Sequence, residues 1–325
     1  MINGVGLNQT VNKIYPGQQF LFPAMNRPPL IDGNQQAFFL STNGTETLGP
    51  QFSTALRIFN AIDLDTYVEI PYPTEMTFAY DSGVLQPPPD DYELDTFNEI
   101  VINAVVYKNS IWCVQMWSPE PGRVITRWYE LDITNYFTDN QVTIKQFGDI
   151  NPCPSPGGSF LNTTYPAINV DRDGNMAIAF TLVGREQYAT VAYTGRLACD
   201  PPGTVRYPFQ IALKGTSTYD QYRWGDYINL PIDPTDHKTF WSFNEYPDTT
   251  RLNKGTTSFY AMIIYSFKLN QTCNKKCNKP KSRTILKGTV PPENNNQDPP
   301  EPENENDNVK LNNTRRKNRI NKMLN

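Results

Sequence analysis

The amino-acid sequence predicts an all-β fold, and its composition gives the first two reasons. Aromatic residues make up 12% and hydrophobic residues 38% of the 325 positions, which is enough apolar material for a sizeable core. Gly occurs 19 times and Pro 28 times, so turn-forming residues interrupt the chain often. Frequent interruption of aromatic and β-branched segments favours many short strands over long helices.

A third reason is that strand-like segments recur in groups. Each clear group has two apolar strands around a polar turn, then a third strand, and then a fourth that is more polar. In the three later groups the turns read "KNS", "DRDGN" and "DPTDHK". From a faint first group to the last, the segments are 28–42, 54–64 and 66–72; 98–118, 125–133 and 141–150; 165–183, 188–198 and 208–215; and 223–246 and 258–269.

Units of four strands at a spacing of roughly 50 residues are typical of β-propeller blades, because each blade needs a neighbour to cover its apolar faces. We therefore predict a β-propeller with about four recognisable four-stranded blades. That number is at the low end of the range for propellers, so the ring is expected to be small, open or incomplete.

The predicted domain organisation has three parts. Residues 1–272 form the propeller-like domain, residues 273–290 form a Cys-containing linker, and residues 291–325 form a disordered low-complexity tail. The tail, "PPENNNQDPPEPENENDNVKLNNTRRKNRINKMLN", has almost no aromatic or β-branched residues. It therefore cannot bury enough apolar surface to offset the entropy lost on ordering.

Charge and motifs exclude several functions. The net charge is -4, so we expect no nucleic acid as partner of the main domain. No window approaches the roughly 20 apolar residues of a membrane span, and the first residues lack the basic region and apolar core of a signal peptide. No Gly-rich phosphate loop or dinucleotide fingerprint is present, so we predict no cofactor.

Four motifs occur in a specific joint order: "LD-x-x-N", "RWYEL", "GRLA-x-DPPGT" and "RWGDY…DP-x-D…TFW…EY". Through them, residues 86–269 resemble the C-terminal half of a β-propeller module found in large secreted or surface-exposed multidomain proteins of bacteria and archaea, most of unknown function. Family members usually have more blades and a signal peptide upstream, so the resemblance implies an N-terminally shortened copy. The Asn- and Lys-rich composition would suit the AT-rich genome of a large DNA virus, and we expect an extracellular or virion-surface location.

The function that fits this resemblance is non-catalytic binding of glycan or protein partners. Propellers bind where loops from several blades converge, and exposed aromatic side chains there suit sugar rings or protein hot spots. The first candidate residues lie in "RWGDY", with two more in the preceding blade. The candidates are Arg223, Trp224, Asp226, Tyr227, Arg196 and Asp200.

A structural interpretation of the same stretch competes with that hypothesis. Trp224 and Tyr227 would then be core aromatics, and Gly225 would permit close backbone packing. Asp233 and Asp236 would cap the "DPTD" turn through side-chain to backbone hydrogen bonds. We favour this structural interpretation over the binding one for the stretch as a whole.

The alternative function is an enzyme of the glycoside hydrolase or lyase type, similar to a sialidase. Such an enzyme would use Asp226 with a second carboxylate, Asp95 or Glu99, at a separation of roughly 5–10 Å across the sugar. Convergence of the two carboxylates on one pocket would favour it.

The "DRDGN" segment is a weak calcium candidate through Asp171 and Asp173, because its oxygen-rich spacing is that of a calcium loop. The longer EF-hand pattern is incomplete, since no glutamate stands six residues past Gly174. We favour a tight hairpin turn with Gly174 at positive φ, and we predict no metal site.

The single histidine and the five cysteines offer little chemistry. His237 falls in the "DPTDHK" turn, where an exposed turn residue is expected. Cys113 and Cys199 alternate with apolar neighbours and are expected to be buried, inert thiols. Cys273 and Cys277 would form a small disulfide loop or remain as two free thiols.

Overall fold

The structure is a computed structural model, and the chain divides into two compact units, Met1–Lys275 and Lys276–Asn325. It describes residues 22–26, 37–42, 55–60, 63–73, 83–88, 92–96, 101–120, 122–153, 158–220, 223–225, 228–248 and 259–269. The second unit lies outside these residues, as do the predicted linker 273–290 and tail 291–325.

The described residues form sixteen strands and one four-residue helix, so the predicted all-β class is confirmed. The elements are β1 (Phe22–Asn26), β2 (Phe38–Thr42), β3 (Ala55–Asn60), β4 (Asp63–Pro71), β5 (Gly83–Leu85), β6 (Glu93–Asp95), β7 (Val101–Tyr107), β8 (Ser110–Glu120), β9 (Arg123–Asp132), α1 (Tyr136–Asp139), β10 (Thr143–Ile150), β11 (Asn162–Val170), β12 (Met176–Gly184), β13 (Gln187–Arg196), β14 (Tyr207–Leu213), β15 (Phe240–Asp248) and β16 (Phe259–Phe267).

Two of the predicted four-strand groups are complete antiparallel meanders. Strands β7 to β10 pair in chain order, and so do strands β11 to β14. The turns lie where the sequence predicted them, with Lys108 at φ 53° in "KNS" and Gly174 at φ 87° in "DRDGN". Positive φ gives the turn a backbone twist that matches the right-handed twist of the strands it joins.

The first group differs from the prediction because it shares a sheet with the second. Strand β1, which the sequence did not indicate, pairs in parallel with β7 through Ala24 and Ala104. The result is one eight-stranded sheet in the order β10-β9-β8-β7-β1-β2-β3-β4, which curls into a half-barrel. If β1 and β7 were edges of two separate sheets, their backbone N–H and C=O groups would lack hydrogen-bond partners. The pairing supplies those partners.

The last group consists of three segments. Residues 228–232 run beside β15 through isolated bridges from Asn229 to Phe243 and from Ile232 to Phe240. Strand β15 then pairs antiparallel with β16 along its whole length. These segments match those predicted at 223–246 and 258–269.

The sheets stack face to face. Successive side chains along β11 and β12 point to opposite faces of their sheet, so each face packs on a different neighbouring layer. Larger side chains such as Ile178 and Phe180 pack on Trp112 and Trp128 of the eight-stranded sheet. On the opposite face, small alanines pack on Phe240 and Phe267 of the β15–β16 hairpin; they are Ala167, Ala177 and Ala179. Both strands are therefore buried on both faces.

Within the described part of the chain, no helix is long and apolar enough to cross a membrane.

Candidate functional site

Two residues of the "RWGDY" stretch, Trp224 and Gly225, belong to the core. Trp224 is 1% exposed, and its Nε1 donates to Thr181 Oγ1 at 3.3 Å. Gly225 has φ 76°, and a Cβ on it would lie 2.3 Å from the ring of Tyr165. Arg223 is exposed. The binding role considered for Trp224 is therefore corrected to a packing role, because the indole has no exposed face to offer a ligand.

The remaining "RWGDY" candidates and the carboxylates of the enzyme alternative form no site among the described residues. Asp226, Tyr227 and Glu99 lie outside the described residues. Asp95 lies on β6 opposite Gly83 of β5 and is buried. It does not line the cleft described below.

The "DPTDHK" turn is held by its aspartates, as the structural interpretation predicted. Asp233 Oδ1 accepts from the Thr235 N–H at 2.8 Å, and Asp236 Oδ1 accepts from the N–H groups of Lys238 at 2.7 Å and Thr239 at 2.9 Å. The Thr239 hydroxyl and these N–H groups hold the pKa of Asp236 well below its usual range. His237 is a turn residue at φ 55°, and it is partly buried rather than exposed.

The "DRDGN" segment is a hairpin turn built around a buried carboxylate. Asp171 Oδ1 accepts from the N–H groups of Asp173 and Asn175, both at 2.9 Å, and its Oδ2 accepts from Asn175 Nδ2 at 2.8 Å. These bonds engage both carboxylate oxygens of Asp171, and the carboxylate of Asp173 is paired with Lys238. Across the described ranges, no group of three or more His, Cys, Asp or Glu side chains could hold a metal ion.

A cleft with a volume of about 870 Å³ opens where the turns of the two complete meanders meet. The eight-stranded sheet contributes the β7–β8 turn, Trp112, Glu130 and the start of β10. The β11–β14 sheet contributes the β11–β12 turn and residues from Arg196 to Pro202. These positions are neighbours because both turns lie at the same end of their meanders. Arg196, Asp200 and Asp173, which sequence reasoning had named for different roles, therefore line one cleft.

Arg196 is the least expected member of the cleft, because its charged side chain is 3% exposed. Its Nε donates to the carbonyl of Thr204 at 3.2 Å, and its Nη2 donates to the carbonyl of Asp200 at 2.8 Å. No carboxylate of the described residues lies within ion-pair distance of it. Burial lowers the pKa of the guanidinium, and the negative charges of Asp200 and Glu130 offset part of that shift.

Glu130 is the buried anion of the cleft, and its charge is already matched. Its carboxylate accepts from Lys145 Nζ at 2.7 Å, from Ser110 Oγ at 2.9 Å and from Gln146 Nε2. Sequence reasoning missed Glu130 as a site residue, although it lies inside the noted motif "RWYEL". The available signal was a carboxylate flanked directly by Tyr129 and Leu131 within the strand.

Trp112 borders the cleft but is only 3% exposed. It stacks on Trp128 with ring centroids 5.9 Å apart, and Arg196 lies 5.8 Å from the Trp128 ring centroid. Trp112 Nε1 is buried and has no hydrogen-bond partner among the residues described. Buried N–H groups rarely lack an acceptor, because a buried donor without a hydrogen bond destabilises the fold.

The remaining acidic side chains of the cleft have local partners. Asp200 Oδ2 accepts from the Leu197 N–H at 2.9 Å and so shapes the segment after β13. Asp173 pairs with Lys238 Nζ at 2.6 Å. Arg196 is thus a buried charged residue of the cleft whose hydrogen-bond acceptors are uncharged carbonyl groups.

Of the two buried thiols predicted at Cys113 and Cys199, the first is confirmed and the second is wrong. Cys113 is buried as a free thiol, and burial raises its pKa. Cys199 is exposed and disulfide-bonded. The alternation that suggested a buried thiol does not apply there, because β13 ends at Arg196 and Cys199 lies in the following turn.

No family model matches the chain, and no curated protein shows significant similarity to it.

Proposed function

We propose that the chain is a non-catalytic β-propeller-type module that binds a glycan in the cleft between its two complete meanders. The observation on which this rests is the cleft itself, whose volume of about 870 Å³ is within the range typical of ligand sites, roughly 300–1,000 Å³. Loops from two successive sheets converge on it, as the binding hypothesis requires.

The order of the meanders supports the propeller-type architecture. The second and third groups are antiparallel meanders in chain order. The β11–β14 sheet packs through apolar faces on the eight-stranded sheet and on the β15–β16 hairpin, which is how blades cover one another. The resemblance motifs support the site, because "RWYEL" supplies Glu130 and "GRLA-x-DPPGT" supplies Arg196 and Asp200.

The chemistry of the walls favours a sugar over a flat protein surface. Sugar hydroxyls both donate and accept hydrogen bonds, and the cleft presents amide, hydroxyl, carboxylate and ammonium groups beside Tyr107 and Trp112. A protein surface would more naturally cover an exposed patch than enter a concave cleft. The carboxylates of Glu130 and Asp200 hold neighbouring groups in place, which suits recognition rather than hydrolysis.

We place this module on an extracellular or virion surface. The disulfide at Cys199 supports that location, because disulfides persist mainly in oxidising environments.

A glycan array tests the proposal with a variant that fills the cleft. Ala198 is exposed and lines the cleft, so Ala198→Trp adds bulk there and removes no side-chain hydrogen bond. Gln210→Trp on β14 is the matched control, since Gln210 is exposed and does not line the cleft. Thermal unfolding confirms that both variants fold.

We expect the wild type and Gln210→Trp to bind the same spots, and Ala198→Trp to lose about tenfold or more in affinity. Mass spectrometry of the bound spots should show intact glycans. The proposal would be contradicted by equal binding of all three proteins, by no binding to any glycan on the array, or by cleavage of a bound glycan.

A further inference from the structure

We propose that the cleft selects glycans that bear a carboxylate, such as uronic or sialic acids, and that Arg196 is the residue that contacts this carboxylate. The inference rests on the proposed function, because it names the ligand class of the same cleft. It concerns binding alone and involves no change of covalent bonds.

The state of the Arg196 guanidinium is the first argument. A buried charge is costly unless a partner compensates it, yet both hydrogen-bond acceptors of Arg196 are neutral carbonyls. Its Nη1 donates no hydrogen bond to any residue that the structure describes, which leaves a pair of N–H groups for another acceptor. A ligand carboxylate supplies both the missing charge and the acceptors.

The charge balance of the cleft decides between a singly and a doubly charged ligand. Lys145 is paired with Glu130, and Asp173 is paired with Lys238. These pairs leave Lys108, the buried Arg196 guanidinium and the Asp200 carboxylate, which together give the cleft one net positive charge. One positive charge matches a carboxylate better than a phosphate dianion. The planar guanidinium fork also matches carboxylate geometry.

The test compares matched ligands on the wild-type protein, so it does not depend on the folding of a variant. The array carries glucuronate beside glucose, galacturonate beside galactose, and N-acetylneuraminate beside its carboxyl-reduced form, each pair in the same linkage. A sulfated neutral glycan is the additional arm. We expect about a tenfold or greater preference for each bound carboxylate over its neutral counterpart, as a charge-assisted hydrogen bond predicts.

Variants then assign the preference to a residue. Arg196→Gln should lose the preference, whereas Arg206→Gln should retain it. Arg206 is an exposed arginine that lies close in sequence and does not line the cleft, so its substitution removes the same charge without touching the site.

The outcomes separate this inference from the proposed function. Binding of neutral and acidic partners with equal affinity, blocked by Ala198→Trp, would overturn the carboxylate assignment and leave the glycan module standing. Sulfate bound as tightly as carboxylate would also overturn it, as would a preference that survives in folded Arg196→Gln. If the wild-type protein bound no glycan on the array, both proposals would be overturned.

Discussion

The stretch 223–246 and the cleft around Arg196 resemble each other in sequence but differ in how their polar groups are used. Both combine aromatic residues, aspartates and an arginine within a short distance. In the stretch, Asp233 and Asp236 accept hydrogen bonds from backbone N–H groups, and Trp224 is enclosed in the core. In the cleft, a buried guanidinium has only neutral carbonyls as direct partners.

The difference shows that a conspicuous sequence motif does not by itself indicate a candidate site. A polar side chain whose hydrogen bonds are satisfied locally stabilises the fold and has little left for a ligand. A buried charge with an incomplete set of partners costs stability, and function is a common reason for such a cost. The following substitutions test whether the two regions differ in this way.

The largest effect should come from Trp224→Ala. Removing an indole that is 1% exposed should destabilise the protein by about 3–5 kcal/mol, because a large buried side chain leaves a cavity. Trp241→Ala is the control in the same stretch, since Trp241 is 41% exposed, and about 1 kcal/mol or less is expected there. Urea unfolding measures both; similar losses for the two tryptophans would contradict the core assignment.

The next largest effect should come from Gly225→Ala, at about 3 kcal/mol. The new methyl group would overlap the Tyr165 ring, and the backbone there has φ 76°. Gly122→Ala is a matched control with φ 74° and open space around the new Cβ, so it should cost only about 1 kcal/mol. If both substitutions had the same effect on urea unfolding, close packing at Gly225 would be ruled out.

A smaller effect on stability is expected from Arg196→Met. The substitution loses two hydrogen bonds to carbonyls but also removes a buried charge, so the net change should be within about 1 kcal/mol. Thermal and urea unfolding measure it. A loss as large as that of Trp224→Ala would mean that Arg196 is a structural residue like those of the stretch.

The smallest effect, and one that depends on pH, is expected from Asp236→Asn. Hydrogen bonds from Thr239 and Lys238 hold the pKa of Asp236 below that of an unfolded chain, which is about 3.9. The ionised carboxylate therefore stabilises the fold above that value, and this contribution is lost as the pH falls through the folded-state pKa.

Urea midpoints of the wild type and Asp236→Asn should accordingly differ at pH 6 and converge toward pH 2. A difference that stays constant across this range would show that ionisation of Asp236 does not contribute.

Local sequence signals were enough to predict the strands and turns of the later groups. The polar turns in "DRDGN" and "DPTDHK" follow from Asx hydrogen bonds and positive φ, which depend on a few neighbouring residues. The parallel pairing of β1 with β7 joins residues about eighty positions apart, and no local pattern specifies it. The disulfide at Cys199 was missed for a similar reason, since pairing depends on distance in space.

The candidate site was predicted only in part. Arg196 and Asp200 were named as second choices, from a motif, and the structure places both in the cleft. Glu130 and Trp112 were not named, because they lie on strands where alternation indicated packing alone. Their role depends on how two sheets meet, which is a property of tertiary structure.

Hydrogen–deuterium exchange tests the difference between the two regions most directly. The protein would be compared with and without the acidic glycan that binds most strongly on the array. We predict added protection in peptides that cover residues 107–110, 173–174 and 196–202, and unchanged exchange in peptides that cover residues 223–232 and β15. Protection confined to residues 223–232 and β15 would contradict the account, because it would place the ligand at the stretch that contains the buried Trp224 and away from the cleft.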